Sequence, residues 1–232
     1  MTGFALFWLA VFVIAFIAVA VVRTRALRVV RSGSAPEDAL PTGEAFARAA
    51  LGGRGLGVVK VIPADVDAYR AIPRELQLAD GRFDHGSAAG CAIAALEVAH
   101  AAQHAAGSTP WKRWWVISGH TVWAGPLLPI VSVVELVVDW PPLALVTFAC
   151  VAVLALSGIL SLVVEQTAVA TARELLADDS IDRAYAADID RVLRWAARAY
   201  VAESIFDLGF LDRAVEPYRG EPLDAPGSNF GG

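Results

Sequence analysis

Residues 88–106 read AAGCAIAALEVAHAAQHAA, and this stretch decides the fold. Its alanines favour a helix, and Gly107 stands where a helix C-cap is expected. At 100° per residue, Glu97, His100 and His104 fall within an arc of roughly 60° on one face. The other side chains are mostly methyl-sized, so neighbouring elements can approach closely. The sequence therefore predicts a packed helix with one carboxylate and two imidazoles on the same face.

This polar face has two interpretations. It is a metal or catalytic site, or the histidines are core or interfacial residues hydrogen-bonded to neighbours such as Glu97. Residues 96–100, LEVAH, differ from the zinc-protease pattern H-E-x-x-H only at the first position. In that pattern both histidines bind zinc and the glutamate activates the metal-bound water. Glu97 is thus the candidate general base and His100 a candidate ligand, while Leu96 offers no lone pair.

Segments on both sides of this helix carry further motif residues. They are TGEAFAR at 42–48, HGS at 85–87, AIAA at 92–95 and VEQTA at 164–168. In order and spacing, the chain from about residue 4 to about residue 211 resembles the YugP-type family of bacterial membrane-bound neutral zinc metallopeptidases. The resemblance implies a hydrolase-like membrane protein with a zincin-like portion, zinc as cofactor and Glu165 as the downstream metal ligand.

The chain departs from the family pattern at four places. Leu96 replaces the first ligand, Ala99 replaces a glycine, and residues 167–171 lack the usual asparagine and basic residues. The segment before His85 is shortened to residues 81–84, so we expect the strand that pairs with substrate in zinc proteases to be missing. These departures describe a degenerate H-E-x-x-H motif, typical of a pseudoenzyme.

Zinc binding stays open at this stage. The family positions supply His100 and Glu165, and His104 could join His100 if the metal moved by about 5–6 Å along the helix. In that case Ala101 would occupy the position of the base. His85 could also replace the lost ligand from its loop. The expected function is a catalytically impaired scaffold or partner-binding protein, with an active zinc peptidase and merely structural motif residues as alternatives.

The composition indicates a membrane protein. The chain has 232 residues, 56% hydrophobic and 19% charged, with a mean hydropathy of +0.54. A net charge of −5 and a pI near 5.4 argue against nucleic-acid binding. Cys91 and Cys150 lie in apolar stretches and are expected to be buried thiols.

The first apolar run, residues 4–22, predicts a membrane anchor followed by a cluster of arginines. They are Arg23, Arg25, Arg28 and Arg31. By the positive-inside rule the N-terminus lies outside and the C-terminus in the cytosol of a multi-pass plasma-membrane protein. Residues 18–20, AVA, could mimic a signal-peptide cleavage site, but the missing basic n-region favours an uncleaved anchor. The lipid bilayer, and a protein within it, are the expected partners.

We predict a mainly α fold with about three transmembrane helices and a small cytosolic α+β portion. The divisions are an anchor at 1–22, a cytosolic segment at 23–115, a transmembrane hairpin at 116–164, cytosolic amphipathic helices at 165–214 and a disordered tail at 215–232.

Local signals refine this outline. Thr42 is expected to cap a short helix, and residues 57–62 to form a strand that Pro63 stops. Residues 65–84 are expected to be irregular, and residues 190–211 to form an amphipathic helix.

Two ionisable residues lie inside the second predicted span, residues 116–138. His120 and Glu135 are each within about a turn of its ends, so we expect both to snorkel. Residues 111–115, WKRWW, suit a cytosolic membrane interface. If the chain is aligned with the family motifs, which we call the family register, His100 and Glu165 should approach within about 4–7 Å of each other.

Overall fold

A computed structural model describes residues 2–138, 140–177 and 183–205 of the chain, which are mostly helical. In chain order the elements are α1 (Thr2–Ser32), α2 (Gly43–Gly53), β1 (Lys60–Ala64), β2 (Ala68–Arg70), β3 (Glu75–Ala79), α3 (Asp80–Phe83), α4 (Ala88–Ala105), α5 (Thr109–Val137), α6 (Pro141–Leu176), a 3-10 turn (Arg183–Tyr185) and α7 (Ala186–Ile205). The prediction of a mainly α fold with a small α+β portion is confirmed.

Among the described residues, three helices are long and apolar enough to cross a membrane. They are Leu6–Ser32 within α1, the whole of α5 and the whole of α6. Each has at least 27 residues, so at ~1.5 Å per residue each exceeds the ~30 Å hydrocarbon core. They therefore extend beyond the predicted spans: α1 continues through its arginines, and α6 continues past Glu165.

Helix α4 lies at the centre of the larger core. It begins after Ser87, whose side chain accepts a hydrogen bond from the Gly90 amide, and every residue at 88–101 is buried. Gly107 follows with a φ of +62°, the left-handed conformation expected after a helix end. Helices α2, α6 and α7 and strand β3 pack around α4. Its alanines allow that close approach, as predicted.

The sheet corrects two predictions. Residues 65–84 are not irregular: they contain β2, β3 and α3, and the sheet order is β1-β3-β2 with β1 parallel and β2 antiparallel to β3. Strand β1 starts at Lys60 and runs through Pro63 instead of stopping there. Proline is tolerated because β1 lies at an edge of the described sheet, where a missing N–H breaks no ladder bond.

The remaining α+β elements follow their sequence signals. Thr42 caps α2 and accepts a hydrogen bond from the Ala45 amide at 3.1 Å, as predicted. Helix α7 begins at Ala186, before the predicted start, and buries an apolar face against α1, α4 and α6. The rest of the predicted 190–211 helix, Asp139 and the 215–232 tail lie outside the described residues.

Glu135 does not snorkel. Only 2% of it is exposed, and Thr147 on α6 donates a hydrogen bond to its Oε2 at 3.2 Å. The sequence placed Glu135 near a span end but could not show that its side chain points between α5 and α6. His120, by contrast, is exposed.

Accessibility labelling tests the predicted topology. A membrane-impermeant maleimide added to intact cells should label a Trp140→Cys variant and miss a Ser228→Cys variant, because the turn after α5 is expected outside and the C-terminus inside. The parent chain should give a low background, since Cys91 and Cys150 are buried. Both reporters should react after permeabilisation, and the reverse pattern in intact cells would show that the orientation is wrong.

Candidate functional site

Two helices bring an imidazole and a carboxylate together. His100 on α4 and Glu165 on α6 lie 65 positions apart in sequence, yet His100 Nε2 is 3.4 Å from Glu165 Oε1. Both residues are at least 94% buried. The structure thus places the two residues even closer than the 4–7 Å expected from the family register.

Gln103 fixes this pair. Its Oε1 lies 3.3 Å from the second imidazole nitrogen of His100, Nδ1. Its amide nitrogen donates to the Val164 carbonyl at 2.9 Å and also contacts the Thr167 hydroxyl. One side chain therefore orients His100 and ties α4 to the part of α6 that carries Glu165.

Glu97, the candidate base, has a specific partner. It is 1% exposed, and the Tyr200 hydroxyl on α7 donates to its Oε1 at 2.7 Å. This bond joins α4 to α7, just as the His100–Glu165 contact joins α4 to α6. The carboxylate is thus held in a hydrogen bond within the core.

His104 does not join His100 and Glu165. Its Nδ1 is 2.8 Å from the Tyr69 hydroxyl on β2, and its ring lies against Trp111. Trp111 is 5% exposed and also contacts the ring of His100, with centroids 5.5 Å apart. The first tryptophan of the 111–115 segment therefore belongs to the site.

Leu96 and His85 supply no ligand next to His100. Leu96, one turn before His100, is fully buried within the apolar core. His85 is exposed and precedes α4. His100 lies 15 residues further on, about 20 Å along the helix direction. The idea that His85 replaces a lost ligand is therefore wrong.

A cavity of about 320 Å³ opens beside these groups. Glu97, His100 and Glu165 line it together with residues of β2, α5 and α7. Strand β2, at an edge of the described sheet, contributes Ala68 and Tyr69 to its wall. The expectation that the strand beside the active-site helix is missing is therefore wrong. The edge strand is formed by residues 68–70, earlier in the chain than the shortened segment at 81–84, which lies in and next to α3.

Burial and charge set the protonation of the site. Burial raises the pKa of Glu97 to about 7, against the lowering effects of His100 and Tyr200. Burial alone would lower the pKa of His100, but the adjacent Glu165 and, more weakly, Glu97 raise it to about 9. Burial and Glu97 raise the pKa of Tyr200 well above its usual value, which keeps the hydroxyl as a donor. His100 is therefore an imidazolium paired with Glu165 at neutral pH.

The comparison with known families agrees with this arrangement. Residues 4–216 match the family described as "putative neutral zinc metallopeptidase". The chain belongs to this family. No curated protein and no solved structure shows significant similarity to it.

The residues of this metallopeptidase-family chain supply only some of the ligands that a catalytic zinc site needs. Catalytic zinc takes three protein ligands and a water. His100 and Glu165 converge, and 3.4 Å is also the separation of two ligands at about 2.1 Å from one tetrahedral ion. Over residues 2–138, 140–177 and 183–205, no group of three His, Cys, Asp or Glu side chains has metal-binding geometry. The described donor set therefore does not complete a zinc site.

Sequence reasoning missed four residues of the site, namely Tyr69, Gln103, Trp111 and Tyr200. Gln103 was detectable, because residues three apart on a helix are neighbours and it follows His100 by three. Tyr200 was not, since it reaches Glu97 from 103 positions away through tertiary packing.

Removing the Tyr200 hydroxyl should destabilise the protein. In Tyr200→Phe, the buried Glu97 oxygen loses its donor, and we expect a loss of about 1–3 kcal/mol in the free energy of unfolding. The matched control is Tyr185→Phe, because the Tyr185 hydroxyl donates to Glu37 at a less buried position. Denaturant unfolding in detergent measures both, and an equal loss in the two variants would contradict a special role for Tyr200.

The raised pKa of His100 also makes stability depend on pH. Since the folded value is about 9 and the unfolded value about 6.5, the folded state holds the proton more tightly. The resulting stability is complete below about pH 6.5 and is lost as pH rises through about 9. The raised pKa of Glu97, about 7 in the folded state, also makes the protein less stable as pH rises. This second loss of stability is complete near pH 7.

Thermal unfolding of the chelator-treated chain tests this. The melting temperature should fall between pH 7 and pH 9.5, and His100→Gln should remove most of that fall. An unchanged slope in His100→Gln would show that the imidazolium does not carry the pH dependence.

Proposed function

We propose that this chain is an integral membrane member of its family that has lost peptidase activity and acts as a scaffold for a protein partner. The observation that carries the proposal is Leu96. It occupies the position one turn before His100, where the family motif has its first zinc ligand, and it is fully buried in apolar contacts. An aliphatic side chain cannot coordinate zinc.

The rest of the site supports the loss of catalysis. A two-ligand remnant of His100 and Glu165 binds zinc far more weakly than a three-ligand site, since even a neighbouring hydrogen-bond change costs 10–100-fold in affinity. Glu97, the residue that would activate water, is held by Tyr200. The geometry favours a stable ion-pair network over a reactive centre.

Partner binding is the activity that remains available to this site. Strand β2 keeps an edge in the described sheet, and extended peptides pair with such edges through backbone hydrogen bonds. The cavity next to it could hold one side chain of the partner. We therefore propose that an extended segment of another protein is held here without being cleaved.

The membrane placement is part of the same proposal. Three long apolar helices and the arginines that follow the first span support a multi-pass protein in the cell membrane. In this orientation α4, the sheet and the start of α7 lie on the cytosolic side, next to the inner leaflet, and the end of α7 reaches the depth of the spans, where Ser204 and Ile205 contact α6.

One observation favours the alternative, an active zinc peptidase with a rebuilt ligand set. The separation between His100 Nε2 and Glu165 Oε1 suits two ligands of one ion. Metal analysis decides between the two functions. The purified wild-type and Glu165→Ala chains should both contain far less than one zinc per chain, and neither should cleave a peptide substrate. Stoichiometric zinc in the wild type, with cleavage that Glu97→Gln abolishes, would establish the active enzyme.

Restoring the missing imidazole should restore metal binding. In Leu96→His, a His-Glu-x-x-His motif with Glu165 downstream supplies three ligands, so zinc affinity should rise by well over tenfold. Competition with a fluorescent chelator measures this. Cleavage does not have to return, because residues 167–171 also differ from the family pattern.

Two controls accompany Leu96→His. Leu96→Asn places a polar group at the same buried position without an imidazole and should gain no zinc. The double variant Leu96→His with Glu165→Gln should lose most of the gain. If a folded Leu96→His chain gains no zinc, the family register does not describe this site.

A further inference from the structure

A second cavity lies next to α6, and Glu165 is the lining residue that it shares with the first cavity. It is a groove of about 500 Å³ between α1, α6 and α7, within the size range of small-molecule sites. Its walls are apolar at one end, where Val19, Leu162, Val201 and Ile205 line it. Arginines line the opposite end. The groove is therefore amphiphilic along its length.

The apolar end lies at the depth of the membrane spans. Ile205 of α7 lies beside Gly158 of α6, and Ser157 of α6 donates to the Ser204 carbonyl at 3.1 Å. These α6 positions fall inside the third predicted span, residues 143–164. From Leu162 to Arg173 the groove follows α6 for about 16 Å, close to the ~15 Å thickness of one hydrocarbon leaflet.

The polar end carries positive charge. Arg173 and Arg194 share the single carboxylate of Asp190, and both guanidinium side chains remain about half exposed. Arg198 lies over the Trp195 ring at 5.0 Å, and no described carboxylate pairs with it. Glu165 also lines the groove, but His100 balances its charge. The mouth is thus net positive and faces away from the membrane interior.

We propose that this groove binds one anionic phospholipid of the inner leaflet. The headgroup phosphate contacts Arg194 and Arg198, and an acyl chain lies against the apolar walls towards Ile205. The arginine end of the groove matches the headgroup of an inner-leaflet lipid, which lies at the cytosolic surface. The apolar end matches its acyl chain. This inference rests on the membrane placement proposed above and is independent of whether the metallopeptidase site is active.

Native mass spectrometry of the full chain tests the proposal. The protein is purified in a neutral detergent and mixed with equal amounts of phosphatidylglycerol and phosphatidylcholine. One phosphatidylglycerol should be retained in preference to phosphatidylcholine. Arg194→Gln with Arg198→Gln should reduce its retention by roughly tenfold to thirtyfold, because each arginine near an anionic headgroup adds binding energy. The control Arg183→Gln with Arg191→Gln removes the same charge outside the groove and should leave retention unchanged.

The apolar half of the groove has its own variant. Val201→Trp fills it and should abolish retention, whereas Val163→Trp, on an exposed face of α6 outside the groove, should not. Glycerol phosphate, which offers the headgroup charge without a chain, should not compete. Equal retention of both lipids, insensitivity to the arginine variants, or full competition by glycerol phosphate would each overturn the proposal.

Photocrosslinking identifies the occupant directly. Benzoylphenylalanine placed at Val169, which lines the groove, should yield an adduct with the mass of the anionic lipid. A crosslink to residues 206–232 or to a second copy of the chain would show that protein covers the groove, and would overturn the proposal. Carbonate extraction of the same membranes reports membrane integration separately, so a failure of lipid binding is distinguishable from a failure of the membrane placement.

Discussion

The burial of α4 on all its sides is the constraint on which the rest of the structure depends. Fourteen consecutive residues of this helix are buried, and α2, β3, α6 and α7 surround it. Only methyl-sized side chains let so many elements approach one helix. A polar side chain buried on α4 must therefore find a partner within α4 or on a neighbouring element, because unpaired burial is costly. This requirement directs Glu97 to Tyr200 and His100 to Glu165.

These pairs explain why motif residues can persist without catalysis. Removing one partner of a buried ion pair costs about 3–5 kcal/mol, since the other charge stays buried and uncompensated. Under the proposed loss of the first zinc ligand at Leu96, stability alone would therefore be a reason to keep Glu97, His100 and Glu165. The presence of a glutamate and a histidine in the family spacing is thus weak evidence for activity, and the ligand count is the stronger criterion.

The sequence correctly predicted the features that depend on local residues or on alignment with the family motifs. Helix α4 matches to within a residue because alanine propensity and Gly107 fix its ends. The contact between His100 and Glu165 followed from collinear motifs. Strands β2 and β3 escaped prediction, because they have three and five residues and Gln77 breaks the apolar pattern of β3 while being buried. The orientation of Glu135 depends on how α5 meets α6, which no local pattern encodes.

Helix α6, which is long and apolar enough to cross a membrane, lines both cavities. It runs for 36 residues and carries Glu165 in the wall that the site cavity and the groove share. Glu165 Oε1 faces His100, whereas Oε2 is buried and finds no hydrogen-bond partner among the described residues. Because the helix is continuous, the proposed placement of α6 in the bilayer would also set the distance of Glu165 from the membrane surface. In the proposed orientation, a site built this way holds its carboxylate at the inner surface of the membrane, where only segments that reach that surface can contact it.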